Sequence, residues 1–302
     1  MHNIKTNFDK FYEIVKSSLQ IKLNEDDNLQ FYPNKPKMND CSIIALCICA
    51  ESIGIDSENY LWSKIRKDHK NDFPQLVDRS NFNKRRRRLH FFIHEVTRFI
   101  SGELNKSEDI FLMDSIPVPI CKIAREKRCK FGNDSFETKP DKGYSAISKQ
   151  YYYGYKLHLV TSVNGIFHSM NLTKASVHDV NVLKEIKYGK MSNATLIGDK
   201  GYISKEVKID LFESCNIKLE TPGRANQKDQ EHWHPVFRKC RKRIETLFSQ
   251  LCDQMMLKRN YAKSLKGLTT RLITKIAAVT ILQSMNYTNN KPINHLKHAL
   301  AA

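Results

Sequence analysis

Ile110-Phe111-Leu112-Met113-Asp114-Ser115-Ile116-Pro117-Val118 reads as a buried strand interrupted by one acid. Short apolar runs rich in β-branched and aromatic residues belong inside a sheet. A carboxylate among them is costly unless it is paired, hydrogen-bonded or bound to a metal. Downstream, the chain alternates between strand and helix patterns. Residues 121–150 are polar, Lys/Arg-rich and turn-rich, and are expected as a mobile basic insertion. Tyr152–Thr161 alternates with period two, Asn164-Gly165 is a hairpin signal, and Ile166–Leu172 returns. A helix over Asp179–Tyr188, a strand over Ala194–Gly198, a helix over Ser204–Cys215, a strand over Ile217–Thr221 and a long helix from about Val236 follow. Three strands with a hairpin, then alternating helices and strands, make a mixed α/β layer rather than a bundle or a barrel.

Upstream of the decisive strand the pattern is helical. Phe8, Phe11, Tyr12, Val15 and Leu19 share a helix face, Asn39-Asp40 caps an apolar helix over Cys41–Ser52, and Asp56-Ser57 caps the next, Glu58–Lys67. A short turn with Gly54 between two helices is compatible with a helix-turn-helix. A last helix is predicted from about Asn81 to Ile100, with Lys84, Arg85, Arg86, Arg87 and Arg88 as a run of cations for DNA phosphates. Residues 1–107 are therefore expected as a helical N-terminal region whose basic run suits DNA binding, 108–290 as a mixed α/β domain and 291–302 as a flexible tail.

The net charge of +18 and the pI near 9.5 point to a polyanionic partner. Residues 1–107 hold 18 Lys and Arg against 14 Asp and Glu, and the remainder holds 32 against 18. The more basic part thus contains the decisive strand. The eight cysteines include no CxxC pair and are expected to be reduced, with no zinc site. The first residues lack the apolar stretch of a signal peptide, and Leu272–Met285 is too short to span a bilayer and reads as a core helix. No membrane partner is expected, and the protein is placed in the cytoplasm.

Asp114 has two counterparts. Asp199 ends the apolar run Ala194–Gly198, between Gly198 and Gly201, and Glu245 lies in a basic amphipathic helix. There Val236, Phe237, Cys240, Ile244, Leu247, Phe248 and Leu251 form an apolar stripe, with Arg238, Arg241, Glu245 and Ser249 on an adjacent face. Carboxylates converging from separate segments are what two-metal phosphoryl transfer requires. Magnesium, which prefers oxygen donors, is the fitting ion. Asp179 is read as a helix N-cap, His178 as a contact to DNA or to the site, and Trp233 as a loop anchor or a stacking platform for an unpaired base.

Asp114-Ser115, Gly198-Asp199-Lys200-Gly201-Tyr202 and Arg243-Ile244-Glu245-Thr246-Leu247-Phe248 together resemble the DDE transposases of bacterial insertion sequences. Phe82-Asn83-Lys84-Arg85-Arg86-Arg87 and Lys174-Ala175-Ser176-Val177-His178-Asp179 extend the resemblance over most of the chain. It implies a ribonuclease-H-like catalytic domain and two Mg²⁺ or Mn²⁺ ions on Asp114, Asp199 and Glu245. It further implies cleavage and joining of terminal inverted repeats into target DNA, by a homodimer on DNA associated with a bacterial nucleoid. Arg238, Arg241, Lys242, Lys258 and Arg259 are expected on DNA, with Lys200 and Tyr202 as accessories. The pattern departs from many relatives at Arg238, where they carry Tyr, and at Cys252, where they carry Lys. Only 45 residues separate Asp199 from Glu245, which leaves no room for a large insertion domain. A metal-dependent nuclease or resolvase without joining, and a decayed DNA-binding protein, are the competing readings.

Overall fold

A computed structural model describes residues 3–132, 137–146, 148–189, 191–223, 235–259 and 261–300. The chain divides into two units, Asn105–Gln250 and a helical one formed by residues 1–104 together with 251–302.

The helical unit opens with α1 (Ile4–Leu19), α2 (Asp40–Ser52), α3 (Glu58–Asp68), α4 (Arg79–Arg88) and α5 (His90–Leu104). Asn3, Asn39, Ser57 and Asp78 cap the first four through their side-chain oxygens. The helix expected over Asn81–Ile100 is two helices. Leu89 leaves the helical region at φ −85°, ψ 5° and buries its side chain, so the chain turns there. α2 is apolar around its whole circumference and is enclosed on all sides. Its first residue, Asp40, is fully buried and accepts from the Tyr32 hydroxyl at 2.7 Å, the Leu29 N–H at 3.0 Å and Arg85 Nη2 at 2.5 Å.

The second unit is built on a sheet of six strands: β1 (Ile110–Cys121), β2 (Asp141–Ser145), β3 (Gln150–Ser162), β4 (Phe167–Lys174), β5 (Ala194–Ile197) and β6 (Ile217–Glu220). β1 runs antiparallel to β3 and parallel to β5, and β6 is parallel to β5. β2 and β4 share the far edge of β3, pairing with residues 150–154 and 155–161. Three antiparallel strands continued by two parallel ones give the ribonuclease-H-like mixed sheet that was expected. β2 belongs to the segment read as an insertion. Its polar sequence Asp-Lys-Gly-Tyr-Ser has no apolar alternation to mark a strand, and Gly143 is needed because a Cβ there would sit 2.7 Å from Ala175.

α6 (Val180–Ile186) and α7 (Lys205–Cys215) bring Val182, Leu183, Val207 and Leu211 into one core with Phe111, Met113, Leu196 and Leu219. Burial of four such aliphatic side chains contributes roughly 1.5–3 kcal/mol each. Because strand residues alternate, Leu112 and Asp114 point to the opposite face from Phe111 and Met113. α8 (Pro235–Asp253) carries Glu245.

α9 (Leu265–Thr288) falls within the 108–290 run expected as the catalytic domain, yet it packs against α2 and α5. Its Lys275, 1% exposed, donates to Glu51 of α2 and to the Met255 carbonyl, which fixes how α9 is seated. Residues 291–300, read as a tail, end in a helical turn over Leu296–Ala299 whose Leu296 is buried and whose Lys297 donates to the Ser52 carbonyl at 2.7 Å. Among the described residues no helix is long and apolar enough to cross a membrane.

Candidate active site

The parallel register places Leu112 opposite Ile197. Asp114 and Asp199 each stand two residues beyond that pair, so they emerge on the same face at matching height, at the carboxyl end of β5. Asp114 Oδ1 accepts from the Ser115 N–H at 2.8 Å, and Asp199 Oδ1 accepts from the Gly201 N–H at 2.8 Å. Burial pushes the Asp114 carboxyl up to about 7, against the bond from Ser115, and the charges of Asp199 and Glu245 add to the rise. Asp114 therefore lies close enough to both Asp199 and Glu245 to feel their charges.

Glu245 reaches the pair through Arg241. Arg241 Nη2 lies 3.8 Å from Asp114 Oδ2 and 3.7 Å from Glu245 Oε1. The Glu245 side chain is 57% exposed, while that of Arg241 is largely covered. Arg241, expected on DNA, thus faces the carboxylates. The apolar stripe of α8 seats Ile244, Leu247, Phe248 and Leu251 in the interior, but Val236 at its start is exposed. Arg238 and Lys242 are exposed, as expected of DNA contacts.

Asp179 makes no capping hydrogen bond and sits in the helical region itself, contrary to the reading of it as an N-cap. Its carboxylate instead pairs with Lys156 and accepts from Ser115 Oγ at 3.2 Å. A Cβ on Gly201 would lie 3.0 Å from Asp199 Oδ1 and 3.3 Å from Asp179 Oδ2, so this glycine lets the two acids flank the turn after β5. Tyr202 is fully buried beneath them, with its hydroxyl 3.2 Å from His158 Nδ1. His158 Nε2 lies 3.0 Å from Thr173 Oγ1, and burial drops the imidazole to about 4. Lys156 and His158, which the fold brings beside Asp114 and Asp199 through Asp179 and Tyr202, were not singled out by the sequence, and Asp179 was read as a cap. Lys156 and His158 were visible as neighbours on one face of an alternating strand, whereas the position of Asp179 before a helix suggested an ordinary cap.

The remaining candidates are dispersed. His178 and Lys200 are exposed, and Lys258 and Arg259 lie in the helical unit, where Arg259 stands 3.9 Å from Asp56. Trp233 is outside the described residues. Of the basic run on α4, Lys84 and Arg88 are exposed. Arg85 and Arg86 turn inward instead, to Asp40 and Glu58, because a buried carboxylate retains its charge only with a partner. Arg87 is half-buried.

Among the described residues no three His, Cys, Asp or Glu side chains close on a common metal position. The chemistry of the donor set nevertheless fits a hard divalent cation. Asp114, Asp199 and Glu245 offer carboxylate oxygens without competing thiolates, and a cation among them would offset the burial and the neighbouring charges that raise Asp114.

The family model for a transposase DDE domain matches residues 105–281, more than half of the chain. Among curated proteins none matches. Among solved structures, a cryo-EM structure of the piggyBac transposase synaptic complex with hairpin DNA is similar at 11% identity and a TM-score of 0.43, over 98% of this chain and 69% of that one.

Proposed function

The chain belongs to the transposase DDE domain family, and from that premise we propose that it cuts DNA at the terminal inverted repeats of a bacterial insertion sequence and joins the freed ends to target DNA. The observation that carries this reading is the register of β1 with β5, which sets Asp114 level with Asp199 while Arg241 links Asp114 to Glu245. Asp114, Asp199 and Glu245 are the residues to hold the metal, as two Mg²⁺ or Mn²⁺ ions. When bound, such ions lower the pKa of an attacking hydroxyl and stabilise the charge on the leaving oxygen. The chain's own groups orient that site. Ser115 and Gly201 N–H groups fix Oδ1 of Asp114 and of Asp199, which orients both carboxylates. Lys156 and Ser115 hold Asp179 beside Asp199. Exposed Lys84, Arg88, Arg238 and Lys242 are the candidates for contacts to the DNA backbone, and the protein acts as a homodimer so that two ends are handled together.

The test is the pair of amide variants Asp114→Asn and Asp199→Asn. Each should reduce Mg²⁺- or Mn²⁺-dependent cleavage of an end-bearing duplex to background while duplex binding survives. Retained cleavage in Asp199→Asn would sink the assignment. Cleavage without transfer of the end into a target plasmid would reduce the activity to that of a nuclease.

A further inference from the structure

The helical unit holds a basic feature that the proposed catalysis does not use. A cavity of about 510 Å³ lies among α3, α4 and the segment leading into α9. Five cations line it, Arg79, Arg86, Arg87, Lys263 and Arg271, against two acids, Asp56 and Glu58. Glu58 is engaged, and Asp56 has one facing cation but no hydrogen bond to its buried Oδ2 among the described residues. Glu58 takes Arg86 Nη2 at 2.9 Å and Asn83 Nδ2 at 2.8 Å, and Asp56 faces Arg259 at 3.9 Å. Arg87 and Lys263 have no acidic partner among the described residues, so the wall carries a net positive charge that nothing there offsets.

Unused donors point the same way. Arg86 and Arg271 are 5% and 6% exposed, and the Nε of each lacks a hydrogen-bond partner among the described residues, as does the buried Nε of Arg87. Buried donors of that kind are costly unless something accepts from them. Arg271 is held in place, with Nη2 donating to the Asp56 carbonyl at 2.6 Å and the guanidinium 5.5 Å from the Tyr261 ring centre. The same wall includes Ser264, the N-cap of α9, whose first turn adds the positive end of a helix of 24 residues.

We propose that this cavity is a phosphate-binding site, in which Arg87, Lys263 and the Arg271 guanidinium grip one phosphate group. The volume leaves room beyond a single phosphate for the sugars on either side. A DNA backbone phosphate is the favoured source, a choice that rests on the DNA-acting function proposed above. A free phosphate or pyrophosphate is the other source of the same chemistry.

The experiment uses the full chain and the double variant Arg87→Gln/Lys263→Gln. Neither residue has an acidic partner to lose, and thermal unfolding confirms that the variant is folded. Binding of a short fluorescent duplex of arbitrary sequence is titrated against salt without divalent metal, and pyrophosphate binding is measured by calorimetry. If the cavity seats a DNA phosphate, the slope of log affinity against log salt becomes shallower by about one in the variant. If it seats a free anion, the duplex slope is unchanged while pyrophosphate affinity falls by about tenfold or more. A variant that matches the wild type in both measurements overturns the proposal. Cleavage by the Asp199→Asn protein reports on the other unit, so either proposal can fail without the other.

Discussion

His158 sits at the contact of β3 with β1, and its position decides its charge. It pairs across the strands with Ser115, is 1% exposed, and has one ring nitrogen against Tyr202 and the other against Thr173. Burial lowers its pKa to about 4 from the usual 6.5. In the window between those values the unfolded chain binds a proton that the folded chain refuses, so stability is full above about 6.5 and is lost as pH falls toward 4. The contribution is at most ~3 kcal/mol, since one pKa unit corresponds to about 1.4 kcal/mol. Asp114 pulls the opposite way over an overlapping window. Its raised pKa makes the fold retain a proton that the unfolded chain releases, so its contribution falls as pH rises from about 4 to 7. The measurement is therefore a difference. Unfolding midpoints of wild type and His158→Gln, taken at pH 7.5 and pH 5 (roughly one unit above the window's upper edge and one unit above its lower edge), should converge at the lower pH. Parallel curves would mean that His158 is not held neutral.

At the scale of elements, one turn reports on how α8 is held against the sheet. Gly165, in the hairpin between β3 and β4, has φ +77°, and a Cβ built there would lie 2.3 Å from Arg243 Nε on α8. Gly165→Ala should therefore cost more than the ~1 kcal/mol of left-handed strain alone. Combining it with Arg243→Ala should return the excess, leaving a coupling energy of roughly 0.5–3 kcal/mol in a double-mutant cycle by chemical denaturation. Strict additivity would show that hairpin and helix do not touch. The hairpin itself was legible, since Asn164-Gly165 names its turn chemistry. So were β1, β3 and β5, whose patterns are apolar or alternating. β2 was not, because Asp141–Ser145 is a polar edge strand whose pairing comes from β3 and not from its own residues. Asp114 and Asp199 could be read because acids in apolar strands are conspicuous. Asp179 could not, since an acid before a helix has an ordinary local use and only the fold brings Ser115 and Lys156 to it.

At the scale of the whole chain, the least legible feature is which unit α9 serves. Helix allegiance is read from an apolar stripe, and α9 is buried on nearly every side from Gly267 to Asn286, so no stripe singles out a partner. The decisive contact is a buried ion pair, Lys275 with Glu51, which matches residues 224 positions apart and leaves no local trace. Lys275→Met strands the Glu51 carboxylate in the interior and should destabilise the helical unit by about 3–5 kcal/mol, whereas Lys275→Met/Glu51→Leu should recover most of that loss. The same logic governs dissection of the chain. A fragment of residues 1–107, the run read from the sequence as the helical N-terminal region, leaves α2 and α5 without the apolar cover of α9. An exposed apolar face of that extent favours aggregation or a fluctuating compact state. Residues 1–104 joined by a flexible linker to 251–302 restore the cover. That fusion should give a cooperative thermal transition and a dispersed amide spectrum, where 1–107 alone gives neither. A cooperative transition in residues 1–107 alone would show that α1 to α5 form a core of their own, and that α9 is a late addition to it.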